Sequence, residues 1–147
     1  MKDVVISIRG IQRSFHPGEE EQGPESVELV TDGRYEYGRD ASWFTYQESE
    51  ITGMEGTVTT IAFTPEGAVL TRQGSVTGRM DFSPGERNTF LYETPYGSST
   101  VGMETKRYAS TLTERGGKLE IEYVIDFDHA FVALNQMHIQ VTEKKEY

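Results

Sequence analysis

The sequence predicts an all-β chain: an antiparallel up-and-down β-barrel of about eight to ten strands, with little or no helix. Three observations carry this. Apolar residues recur at every second position along nearly the whole length, and no segment keeps the three-to-four spacing of a helix. Short turns rich in Gly, Pro, Asn and Asp separate the alternating runs. Gly33, Gly74, Gly78 and Gly102 fall inside such runs, where glycine kinks let a sheet coil tightly enough to close. Closure removes the exposed edges of an open sheet.

The elements follow in order. Residues 3–14 put Val4, Ile6 and Ile8 on one face and Val5, Ser7 and Arg9 on the other. Residues 16–24 hold Pro17, Gly18, Gly23, Pro24 and the run Glu19-Glu20-Glu21, which reads as a solvated hairpin tip ahead of a cation site. Residues 26–38 align Val27, Leu29, Thr31, Gly33, Tyr35 and Tyr37, with a bulge or bend expected at Gly33. Residues 41–50 place Phe44, Tyr46, Glu48 and Glu50 on one face and Trp43 and Thr45 on the other. After a connection over 52–56, residues 57–64 align Thr57, Thr59, Ile61 and Phe63.

Pro65-Glu66-Gly67 is a tight turn. Residues 68–73 carry Ala68, Leu70 and Arg72 together, and residues 75–82 carry Val76, Gly78, Met80 and Phe82. Residues 83–88 form a loop with room for one helical turn. Residues 89–96 align Phe90, Tyr92, Thr94 and Tyr96, and the chain turns back over 96–99. Residues 100–114 form a long strand with Val101, Met103, Thr105 and Arg107 on one side. Gly116-Gly117 signals a hairpin into residues 118–127, which align Leu119, Ile121, Tyr123, Ile125 and Phe127. Asp128-His129-Ala130 turns into residues 131–142, with Phe131, Ala133, Asn135, Met137, Ile139 and Val141 in one row. The polar tail, residues 143–147, is expected to fray.

A chain of 147 residues corresponds to one domain, residues 1–147. It buries roughly 68–70% of its unfolded surface. With 0 Cys, disulfides, thiolate nucleophiles and zinc-thiolate sites are excluded together. The formal net charge of -10 and the lack of a basic stripe argue against nucleic-acid and anionic-membrane partners. The short apolar run before Arg9 does not make a signal-peptide core, and no window has the length of a membrane helix. A cytoplasmic location is the expectation, and a homodimer is expected only from its general frequency.

Three spaced motifs carry a resemblance. Tyr46-x-Glu48-Ser49-Glu50-x-Thr52-Gly53-Met54-Glu55-Gly56-x-x-Thr59-Thr60 is followed by Arg72-x-Gly74-x-Val76-x-x-x-Met80-x-Phe82, then by Tyr92-x-Thr94-Pro95-Tyr96-Gly97. Together they resemble the YwiB-like family of uncharacterised bacterial proteins, grouped with the lipocalin-like or calycin-like barrels. The resemblance covers nearly the whole chain. It implies the barrel fold and no established activity. The chain has no Gly-x-Trp signature near its first strand, so lipocalin ligand chemistry is not carried over.

If the face of Phe44 and Tyr46 points inward, Glu48 enters the barrel, and Glu50 with it. Arg72 and Arg107 lie on inward rows of their own strands. Buried charges are costly unless paired, so these groups should meet, with Thr57, Thr59, Thr94 and Thr105 completing the hydrogen bonding. Two readings stay open. The charges form an internal network that plugs the barrel, or they converge with aromatic walls on a small, partly apolar and anionic ligand. In the second reading the ligand-binding residues are Tyr46, Glu48, Thr59, Arg72 and Tyr92, with no catalytic residue and no cofactor.

A solid interior would leave an interaction barrel using Trp43 and the outer sheet face, although core packing is the expected role of Trp43. A glycan hydrolase using Glu48 and Glu50 is the third reading, resting only on an i, i+2 pair of carboxylates. His16, His129 and His138 lie apart, which gives no metal-ligand spacing. No nucleophile elbow or phosphate-binding loop occurs.

Overall fold

The computed structural model of the chain describes residues 1–15, 24–127 and 131–144. Among them run ten antiparallel strands: β1 (Lys2–Phe15), β2 (Glu25–Tyr37), β3 (Ser42–Gln47), β4 (Thr57–Phe63), β5 (Ala68–Gly74), β6 (Thr77–Phe82), β7 (Arg87–Thr94), β8 (Gly97–Ser110), β9 (Gly116–Phe127) and β10 (Phe131–Glu143). Each pairs with its sequence neighbours, and β10 pairs back onto β1, so the sheet closes into the expected up-and-down barrel. A single 3-10 turn, Glu50–Thr52, is the helical element of the described residues. His16, the Glu19–Glu21 run, His129 and the end of the tail lie outside those residues.

Period-two alternation decides which side chains form the core. Val4, Ile6, Phe44, Ile61, Leu70, Phe82, Met103, Leu119, Ile121 and Ile139 are buried. Each contributes about 1.5–3 kcal/mol relative to exposure. The two ends of the barrel differ. At one end Tyr35, Phe44, Phe63 and Phe82 close the interior together with Leu112. The Tyr35 ring stacks on Phe63 with centroids 6.1 Å apart, and its hydroxyl donates to the Thr113 carbonyl at 2.6 Å. At the other end stand Tyr46, Thr57, Arg72, Gly78 and Tyr92, each near the terminus of its strand.

Several local expectations need correcting. Gly33 is not a bulge, because the β1–β2 register runs through Val4↔Gly33 without a shift. A Cβ there would meet Ile6 Cδ1 and lie 2.6 Å from the Thr45 carbonyl oxygen, so glycine permits a close approach. The register shift sits instead in β8 between Thr105 and Arg107. A bulge moves every later residue to the opposite face. Arg107 is accordingly exposed, 3.8 Å from Glu120, and not inside. Residues 83–88 contain a tight turn through Gly85 at φ 79° and no helical turn. β8 starts at Gly97 and ends at Ser110, earlier at both ends than expected. Tyr96 accordingly sits fully exposed in the β7–β8 turn, and Thr94 bonds the Gly97 carbonyl there at 3.2 Å. Trp43 is half-buried on the outer face beside Ala62 and is not part of the core, because Phe44 takes the inward position.

Candidate functional site

Strand register gathers most of the anticipated residues into one row. Tyr46 pairs with Thr59, Thr59 with Arg72, Arg72 with Gly78, and Gly78 with Tyr92. Directly paired residues have Cβ atoms about 4.5–5.5 Å apart. The row therefore forms a continuous polar arc on the inner wall across β3 to β7. Gly78 leaves a gap between Arg72 and Tyr92. A Cβ there would lie 3.3 Å from the Leu91 carbonyl oxygen and 3.6 Å from the Tyr92 ring.

Glu48 joins the arc from the β3–β4 connection. Its backbone N–H donates to the Thr57 carbonyl at 2.8 Å, which carries the extended chain one residue past β3. Ser49 then caps the 3-10 turn by accepting from the Ile51 N–H at 3.2 Å. Gly53, at φ 76°, ends the turn. This bend throws Glu50 out to solvent, so Glu48 and Glu50 do not share a face, contrary to expectation. The Glu48 carboxylate is buried and accepts from Thr59 Oγ1 at 2.8 Å. A hydrogen bond to a charged group of this kind contributes about 1.5–3 kcal/mol.

Arg72 behaves differently from the expected ion pair. Among the described residues it has no carboxylate within 4.0 Å, so Glu48 and Arg72 face one interior without closing a salt bridge. Its Nε is buried with no hydrogen-bond partner. The groups open onto a cavity of about 300 Å³ lined by Tyr46, Glu48, Arg72, Tyr123, Asn135 and Met137, among others. β2 pairs with β3 only over residues 33–37, and the stretch before them runs on as a lip. Val27 and Leu29 of that lip line the same cavity, opposite Thr52 and Met54 of the connection.

The phenols report the electrostatics. Burial pushes Tyr46 up, and the neighbouring Glu48 carboxylate adds to this while Arg72 opposes it. Burial likewise raises Tyr123, with Arg72 opposing and Tyr92 adding. Arg72 thus acts on a tyrosine from each side of the interior. Tyr92 is not part of the cavity lining but acts on Tyr123. Thr59 serves through Glu48. Tyr123, Asn135 and Gln12 were not anticipated as site residues. They form a second row by the pairings Tyr123↔Asn135 and Asn135↔Gln12, and the Gln12 and Asn135 amides bond each other at 3.1 Å. A polar Asn135 between Ala133 and Met137 on an apolar row was the signal in the sequence.

The model of a family described as a domain of unknown function (DUF1934) matches residues 6–139. The chain belongs to the DUF1934 family. No curated protein matches it. Among solved structures, this DUF1934 barrel is similar to the ywiB protein from Bacillus subtilis, with a TM-score of 0.79 and 19% sequence identity. The match covers 99% of this chain and 95% of the other. At that identity the likeness concerns the fold. No helix among the described residues of the DUF1934 chain is long and apolar enough to cross a membrane.

Proposed function

We propose that this chain is a non-catalytic binding protein that takes a small, partly apolar, anionic molecule into the cavity at the polar end of the barrel. The observation that carries the reading is Arg72: its Nε is buried without a partner, and no carboxylate among the described residues lies within 4.0 Å of it. A guanidinium in that state offers a planar fork to a carboxylate or phosphate. Tyr46, Tyr123 and Met137 supply apolar wall, and Glu48, Asn135 and Gln12 supply orienting polar groups. A few polar groups among apolar walls are the usual make-up of a ligand site, and about 300 Å³ is at the small end of the known range. The non-catalytic part rests on Glu50 turning away from Glu48, which removes the carboxylate pair on which the hydrolase reading stood; the other lining carboxylate, Glu25, is exposed at the lip.

Native mass spectrometry of freshly purified protein, followed by calorimetric titration with a panel of aromatic and aliphatic carboxylates, tests the proposal. A co-purifying small anion, or binding that Arg72→Ala abolishes in a folded barrel, is the expected result. A clean apo mass with no binding across the panel overturns it.

A further inference from the structure

Resting on that reading, we infer that the ligand is a zwitterion of the α-amino acid type, with its carboxylate on Arg72, its ammonium on Glu48 and an apolar side chain against the aromatic wall. Arg72 and the buried Glu48 line the cavity without neutralising each other, and the exposed Glu25 stands at its lip. No ion pair within 4.0 Å joins Glu48 and Arg72. Thr59 explains how they stay apart. It pairs directly with Arg72 across the β4–β5 ladder while its hydroxyl holds Glu48 Oε1 at 2.8 Å. The carboxylate is thus tied through Oε1, with the Tyr46 phenol beside it.

Charge balance then selects the ligand. A plain anion on Arg72 would sit beside the Glu48 carboxylate in a partly desolvated space, where like charges repel strongly. A plain cation on Glu48 would meet Arg72 in the same way. A molecule carrying both charges satisfies both groups at once. It also avoids a long-range penalty: the chain carries a formal net charge of -10, which repels an anion on approach and leaves a net-neutral molecule unaffected. The apolar part has Tyr46, Tyr123, Met54 and Met137 to contact.

Matched pairs of ligands test this on the intact protein. Isothermal titration calorimetry compares leucine, methionine, phenylalanine and tyrosine with their analogues lacking the amino group, such as 3-phenylpropanoate, and with their carboxamides. At least one amino acid should bind about tenfold or more tightly than both of its analogues, since each analogue leaves a buried charge unmet. Glu48→Gln should erase the preference over the deaminated acid, with the fold checked by circular dichroism. If the deaminated acids bind as well as the amino acids, the zwitterion is overturned while anion binding stands. If amino acids, acids and amides all fail to bind the folded wild-type protein, both readings fall. The comparison is made on wild type, so a Glu48→Gln variant that fails to fold does not protect the inference.

Discussion

Replacing Arg72 by Met separates a binding arginine from a structural one. Were Arg72 half of a buried ion pair, its removal would strand Glu48 and cost about 3–5 kcal/mol. The geometry gives a different value. Among the described residues no carboxylate lies within 4.0 Å of Arg72, and its buried Nε has no acceptor. An unmet buried donor costs about 1–3 kcal/mol, and the half-buried state of this side chain puts it at the low end. Solvent access also screens its attraction to Glu48. Methionine keeps an unbranched apolar stem between Thr59 and Gly78 and discards the unmet donor, while Glu48 keeps its bond from Thr59. The expected change is a gain of about 1 kcal/mol. For a chain of 147 residues this raises the thermal midpoint by roughly 2–4 °C. Urea unfolding followed by Trp43 fluorescence gives the free energy, and a melting curve gives the midpoint. A loss of about 3 kcal/mol or more would refute the reasoning, because it would show Arg72 acting as a structural plug.

Two further outcomes follow from the wall of the barrel. Gly33→Ala should destabilise by about 1–3 kcal/mol, because its Cβ would overlap Ile6 Cδ1 and lie 2.6 Å from the Thr45 backbone oxygen; an unchanged urea midpoint would contradict the close approach. Alkaline pH should unfold the protein through its phenols. Tyr35 is pushed up to about 12 by burial and then by Tyr37, and Tyr108 to about 12, mainly by burial. Tyr46 and Tyr123 move in the same direction. The unfolded phenol ionises near 10, so this stabilisation is complete below about pH 10 and is lost as pH rises towards 12. Urea midpoints measured between about pH 9 and 12 should fall, and a flat series would count against buried neutral tyrosines.

Much of this was legible in the residues because a strand has only one variable, which face each side chain takes. Ten runs of period two gave ten strands, and Tyr46, Thr59, Arg72 and Tyr92 fell into one row because unshifted register preserves alternation. Where alternation breaks, the reading failed. Arg107 lies beyond a bulge that no residue type announces, and Glu50 is the first residue of a Ser-capped turn that follows the end of the strand at Gln47. Trp43 went wrong for another reason. Hydrophobicity favours the core, but Phe44 next to it already holds the inward position, and adjacent strand residues cannot both point in. Asn135 and Tyr123 were seen as members of apolar rows. Their role depends on which strands face each other across the interior, and periodicity along one strand does not contain that information.

The pairing of charges in this chain runs opposite to what stability alone would select. Exposed cations cost little to leave in water, yet many here have partners. Lys2 lies 2.6 Å from Glu143, Arg87 2.6 Å from Asp126, Lys144 2.9 Å from Asp32 and Arg34 3.2 Å from Asp3. Such surface pairs contribute about 0–1 kcal/mol each. Arg72 is more deeply placed and is the costlier group to leave alone, in a chain with 24 acids to its 14 bases. It nevertheless stands across the cavity from Glu48 without reaching it, while Thr59 holds that carboxylate in place. The closed apolar end, with Tyr35, Phe44, Phe63 and Phe82 packed together, lets the fold tolerate this. Two opposite charges held near each other and kept from meeting are what a molecule carrying both signs would need.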